Sequence, residues 1–255
     1  MSKKRKLLIG AGIGCGLLLA VAGALVADNW WTARPYRQAG AMMRLTNEQD
    51  ERLQKLERDY PFPPLPGAPG GQPVLDEARL KDYLAVRGRA LQRLENAAAN
   101  LQDMGESDEA LGAVAVLFNN LVPVRQTLVD GLEAHQMSMG ELIAITMVVY
   151  QRTTSEALRE HRAQLQARAD GLAASARTPT GESRKDVDYF LQEVTQSIQL
   201  LPSDQPVLKL DPALLARYQD VIARGLNAQF DMWIIESWVR LTRERLAQQA
   251  EEPAP

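Results

Sequence analysis

Apolar positions along this chain recur at helical spacing, and one stretch is apolar throughout. Residues 7–27 contain no charged or strongly polar side chain. As a helix rising about 1.5 Å per residue they would extend ~31 Å, enough to cross a hydrocarbon core of ~30 Å. Lys3, Lys4, Arg5 and Lys6 precede the run, and Trp30 and Trp31 follow it, where indole rings favour the membrane interface. This pattern predicts a single transmembrane anchor with residues 1–6 in the cytoplasm and everything after it on the far side. A cleaved signal peptide is the main alternative, because residues 20–22 and 22–24 offer small-x-small cleavage sites. The length of the run and the tryptophan pair favour the uncleaved anchor. Lipidation at Cys15 is a weaker alternative, since twelve more apolar residues follow it where a polar tether is usual. Gly12, Gly16, Ala20 and Ala24 recur every four residues, leaving one face of the anchor nearly bare for packing against another membrane helix.

Beyond the anchor the pattern is polar, then amphipathic. Residues 28–60 read as a juxtamembrane stalk helix, with Thr46 and Gln49 as a capping box. Residues 61–73 hold six prolines and three glycines, which forbid a regular helix and predict an extended linker. From 76 to 104, Leu80, Leu84, Arg87, Leu91, Leu94, Ala98 and Leu101 step by four and three like a buried seam. Arg87 interrupts that seam; its stem is expected to carry the charge outward, with pairing to a buried carboxylate as the alternative. Pro123 is expected to kink or interrupt the next helix. Ser138 and Glu141 form another capping box, opening a helix expected to run to about Ser175 with residues 142–150 as its buried centre. A loop follows at 177–183. The next helix presents Val187, Phe190, Leu191, Val194, Ile198 and Leu201. Asp211 before Pro212 signals the last helix, with a kink at Gly225. No strand ladder is evident. The fold class predicted is all-α: an anchor, a stalk helix, and one antiparallel bundle of four to six helices over 74–250, ending in a frayed tail at 251–255. Two smaller helical units divided near 177–184 are the alternative.

Charge and composition narrow the function. The chain has 255 residues with a net charge of -3. Its first 27 residues carry four of the 29 basic side chains and no acidic one, so the remainder has 25 basic against 32 acidic and a net of -7. That field does not attract nucleic acid. One cysteine excludes an internal disulfide framework and a Cys-rich zinc module. His135 and His161 lack the spacing of a di-iron or zinc-protease motif, and no nucleophile elbow or phosphate-binding glycine loop is present. No catalytic, metal or cofactor residue is therefore assigned, and no cofactor is expected.

The densest apolar patch beyond the anchor is Trp233, Ile234, Ile235, Trp238 and Val239. Trp233 and Ile234 follow the core face. Ile235, Trp238 and Val239 widen it, either because the helix is central or because they form a strip for a partner or ligand. The expected function is that of a single-pass, non-enzymatic protein of the bacterial cell envelope, an interaction, scaffold or assembly factor with a protein partner or a second copy of itself. Its main domain is expected on the periplasmic or extracytoplasmic side of the inner membrane. A tethered binding module for a small apolar or lipid-like ligand is the alternative, followed by an envelope enzyme.

Overall fold

The computed structural model describes residues 33–62, 73–103, 110–175, 182–203 and 206–251, and is helical nearly throughout, as the spacing predicts. The helices among the described residues are α1 (Ala33–Asp59), α2 (Glu77–Asp103), α3 (Ala110–Ala134), α4 (Met139–Val149), α5 (Gln151–Ser175), α6 (Glu182–Leu200), α7 (Pro212–Arg217), α8 (Gln219–Arg224) and α9 (Ala228–Glu251). The anchor at 7–27 and most of the Pro/Gly-rich segment lie outside the described residues. No helix among the described residues is long and apolar enough to cross a membrane.

The chain divides into two compact units, Met1–Leu53 with Val86–Ala134, and Gln54–Ala85 with His135–Pro255. The division falls inside α1 and α2. In the first unit Leu53, Val86, Ala90, Leu91, Val124 and Leu128 are buried. Helices α2 and α3 approach closely there, for a Cβ on Gly131 would lie 3.3 Å from Val86 Cγ1. Polar groups are buried with them. Arg125 pairs with Asp50, and the Gln49 amide donates to Val122 O at 3.3 Å and to Gln126 Oε1 at 3.0 Å. Gln49 is therefore not part of a cap. In the structure α1 already runs from Ala33, with Pro35 in its first turn, where the ring is tolerated, and Thr46 falls within the helix. Arg87 is only 1% exposed. The spacing places it on the core face correctly, but its head stays inside rather than reaching outward. Pro123 lies within α3, which continues through it.

The second unit is built around α4, whose residues Leu142–Met147 are buried on every side (142–147 in the sequence). Helices α5, α6 and α9 pack against one another, and α4 packs against α5 and α9. The long helix expected over 139–175 is two helices, because α4 ends at Tyr150 and α5 begins at Gln151. The last helix is likewise three pieces, α7, α8 and α9, with Asp211 capping α7 as its sequence predicts. Phe190, expected on the core face of α6, is 44% exposed and stacks edge-on with Tyr189 at 5.7 Å between ring centroids. A short parallel pair, β1 (Val74–Leu75) with β2 (Lys209–Leu210), joins distant segments. Two residues per strand are too few for periodicity to reveal.

Candidate functional site

The densest set of polar contacts in the second unit surrounds the turn that leads into α4. Asp76 accepts from the backbone N–H of Arg79 at 2.8 Å, so the first turn of α2 is capped and Arg79 projects from a fixed base. Its guanidinium then uses its full fork. Nη1 donates to the His135 carbonyl at 2.7 Å and Nη2 to that of Gln136 at 2.9 Å. Nε and Nη2 each reach a carboxylate oxygen of Glu141 at 2.5 Å. The paired Glu141 carboxylate raises the Arg79 pKa further above its ordinary value, against the opposing effect of burial. Asp82 completes the group, 3.7 Å from Arg79 and 2.8 Å from His135 Nδ1. Gln136 needs this support, since its φ of 49° is the left-handed region, which costs an L-residue about 1 kcal/mol.

A second carboxylate serves the start of α4. Ser138 is its N-cap and accepts from the Glu141 amide at 3.1 Å. Glu57, near the end of α1, accepts from the Gly140 amide at 2.8 Å, and the neighbouring Met139 amide also favours its ionised form. Gly140 permits the approach, because a Cβ there would stand 3.3 Å from Glu57 Oε2 and 3.8 Å from Trp238 Nε1. Burial pushes the Glu57 carboxyl above the usual carboxylate range, outweighing the two amides and the attraction of Arg245. The sequence-predicted capping box is thus half formed: Ser138 caps as expected, but the Glu141 side chain goes to Arg79.

Two further polar contacts lie among the packed helices. Thr154 donates to Asp231 Oδ2 at 3.1 Å, both residues being fully buried. His161 Nε2 is 3.5 Å from Glu236 Oε1. Burial lowers the pKa of His161 and raises that of Glu236, so both are drawn toward neutrality. Among the described residues no group of three His, Cys, Asp or Glu side chains is placed to hold a metal ion.

The sequence-predicted site residues fall elsewhere. Gly12, Gly16, Ala20, Ala24, Trp30 and Trp31 lie outside the described residues. Ile235 and Val239 are buried, and Trp238 is half-buried beside Gly140 and Glu57, so these three do not form an exposed strip. A central helix, the first of the two readings of this stretch, accounts for that burial: α9 is met by α4, α5 and α6, and needs apolar side chains on more than one face. Glu57, Arg79 and Asp82 were not singled out by sequence, since each joins residues more than fifty positions away and no local spacing marks them. Comparison with protein-family models, with curated proteins and with solved structures finds no match to this chain.

Proposed function

We propose that the chain is a single-pass membrane-anchored protein of the bacterial cell envelope, whose helical part acts without catalysis as an interaction, scaffold or assembly factor. The observation that carries this reading is the apolar run at 7–27 behind four basic residues, followed by the tryptophan pair. The polar contacts around α4 add support of a different kind. Arg79, Glu141 and Glu57 are each engaged with the protein's own backbone and side chains, as structural groups are. The exposed Tyr189–Phe190 pair on α6 is a large aromatic surface left in water and supplies a place for a protein partner.

Both halves of the reading are open to experiment. A reporter active only outside the cytoplasm, fused after Pro255, is expected to be active, and fractionation is expected to leave the uncleaved chain in the membrane. A soluble, shortened chain overturns the anchor. A photo-crosslinker placed at position 189 is expected to give an adduct of defined mass in cells, absent when it stands at exposed position 168 on α5. Equal labelling from the two positions overturns the interaction surface.

A further inference from the structure

Three residues of α6 are complementary to their own order read backwards. Lys185, Tyr189 and Glu193 stand four apart, so they share one face, with about 5–6 Å between successive side-chain bases. Tyr189, in the middle, is 59% exposed and forms an exposed aromatic pair with Phe190. Lys185 is exposed and makes no ion pair among the described residues. Glu193 accepts from the Tyr189 hydroxyl at 3.3 Å and lies 3.2 Å from Arg243 of α9, both at Oε1, which leaves Oε2 for a further cation. The apolar surface extends onto the neighbouring helix. Thr154 meets Asp231 and His161 meets Glu236, so α9 runs in the direction of α5. Arg162 meets Pro202, just past α6, so α6 runs against both. Leu246, nearly one turn beyond Arg243, is therefore level with Phe190, nearly one turn before Glu193, and it too is exposed.

We propose that this face of α6 binds the same face of a second copy of the chain, antiparallel about a two-fold axis through Tyr189. Such an axis sets Tyr189 against its counterpart, where two phenol rings stack. It sets each Lys185 against the partner's Glu193, because the two lie four residues to either side of the axis. One self-complementary patch is what a two-fold interface requires. Charge argues against other kinds of partner. Arg184 and Lys185 are balanced by Asp186 and Asp188 within the same two turns, so the patch presents no net field to a polyanion or an anionic lipid surface. Area sets the strength. The exposed parts of Tyr189 and Phe190 amount to roughly 200 Å² per copy, and the axis doubles them to ~400 Å². That is the apolar centre of a small, reversible interface, below about 1,200 Å² in total. A second copy is thus the partner of the surface read above at Tyr189 and Phe190, and this interface stands only if that reading does.

The test uses the full-length chain in membranes, with a photo-crosslinking phenylalanine analogue at position 189, which keeps an aromatic ring on the axis. An adduct of twice the chain mass is expected. An adduct of any other mass overturns the second copy while leaving position 189 an interaction surface, and no adduct overturns both. Charge reversal then separates this face from association through other parts of the chain, the small-residue face of the anchor included. Lys185→Glu sets two carboxylates against each other at both ends of the interface, and Glu193→Lys two ammonium groups. Each alone is expected to lower the doubled adduct about tenfold at low expression. Mixed, with a size tag on one, the two variants are expected to restore it as the adduct of tagged with untagged chain, since every reversed charge then meets its opposite. Equal yields from wild type, each variant and the mixture overturn the interface. Glu193→Lys also gives up Arg243. Should its circular dichroism show lost helix, Lys185→Glu decides alone: its deficit is expected to shrink in about 0.5 M salt, and a deficit unchanged by salt overturns the interface.

Discussion

At the scale of single residues, the effect of a glycine here depends on what its missing side chain would meet. A Cβ on Gly88 in α2 or on Gly171 in α5 would meet nothing within 4 Å. Replacing either by alanine removes backbone freedom from the unfolded chain and is expected to stabilise by about 0.4–1 kcal/mol. Gly225 is the contrasting case. Its φ of −83° is ordinary, so conformation is no obstacle. A Cβ there would stand 2.5 Å from the hydroxyl oxygen of Tyr150, whose ring is buried and has little room to retreat. Gly225→Ala is expected to cost about 1–3 kcal/mol, and adding Tyr150→Phe should recover part of the loss by removing the blocking oxygen. Urea unfolding of the four variants checks this, and a gain at Gly225 equal to that at Gly88 would show that the close approach does not exist. The position of this break was legible in the sequence, but its cause was not, for Tyr150 lies far away along the chain. Arg87 teaches the same lesson. Helical spacing assigned it to the buried seam, yet nothing local to it signals that a charged head can remain inside.

At the scale of elements, the starts at Ser138 and Asp211 were legible in the sequence, whereas helix lengths and the start read at Thr46 were not. Ser138, Asp76 and Asp211 cap helices because a side-chain oxygen two or three residues ahead of a free amide is a local arrangement. The break between α4 and α5 at Tyr150 has no such signature, and a continuous helical pattern ran across it. The turn before α4 sits between these extremes, since its cap is local and its clamp is not. Ser138→Ala is expected to cost about 1 kcal/mol, the ordinary loss of an N-cap. Arg79→Ala is expected to cost more, because it strips partners from the His135 and Gln136 carbonyls and leaves the Glu141 carboxylate without its guanidinium. If the two charges act as a pair, Arg79→Ala and Glu141→Ala are non-additive by about 0.5–3 kcal/mol in a double-mutant cycle. Strict additivity would instead mean that Arg79 serves the carbonyls alone. Neither partner of this contact could have been chosen from the sequence, where arginines and glutamates are numerous and their separation in space is invisible.

At the scale of the whole molecule, the shifted groups set opposing slopes on stability against pH. Glu57 and Glu236 are raised by burial, so each contributes most below the ordinary glutamate value and progressively less as pH rises through its folded value. Glu236 keeps 44% of its side chain exposed, so water screens it and its share is the smaller. His161 works the other way. Burial lowers its pKa, so its contribution is complete above the ordinary histidine value and falls as pH drops through the lowered one. Glu77 acts only in stronger acid. The Tyr218 hydroxyl, Lys81 and Arg217 hold it at about 2, so its contribution is present above the ordinary value and lost as pH falls toward 2. Thermal unfolding of the full-length chain from pH 8 to 2.5 separates these effects through three variants. Glu57→Gln with Glu236→Gln is expected to raise the midpoint near pH 8 and to leave it close to wild type near pH 4.5. Glu77→Gln is expected to be most damaging at neutral pH and to converge on wild type in strong acid, where the native carboxyl is protonated too. His161→Gln is expected to relieve the acid-side loss that begins as pH falls through the histidine range. A carboxyl double variant that is destabilised at pH 8 would mean that the amides and Arg245 outweigh burial at Glu57, and the direction of the slope would then be reversed.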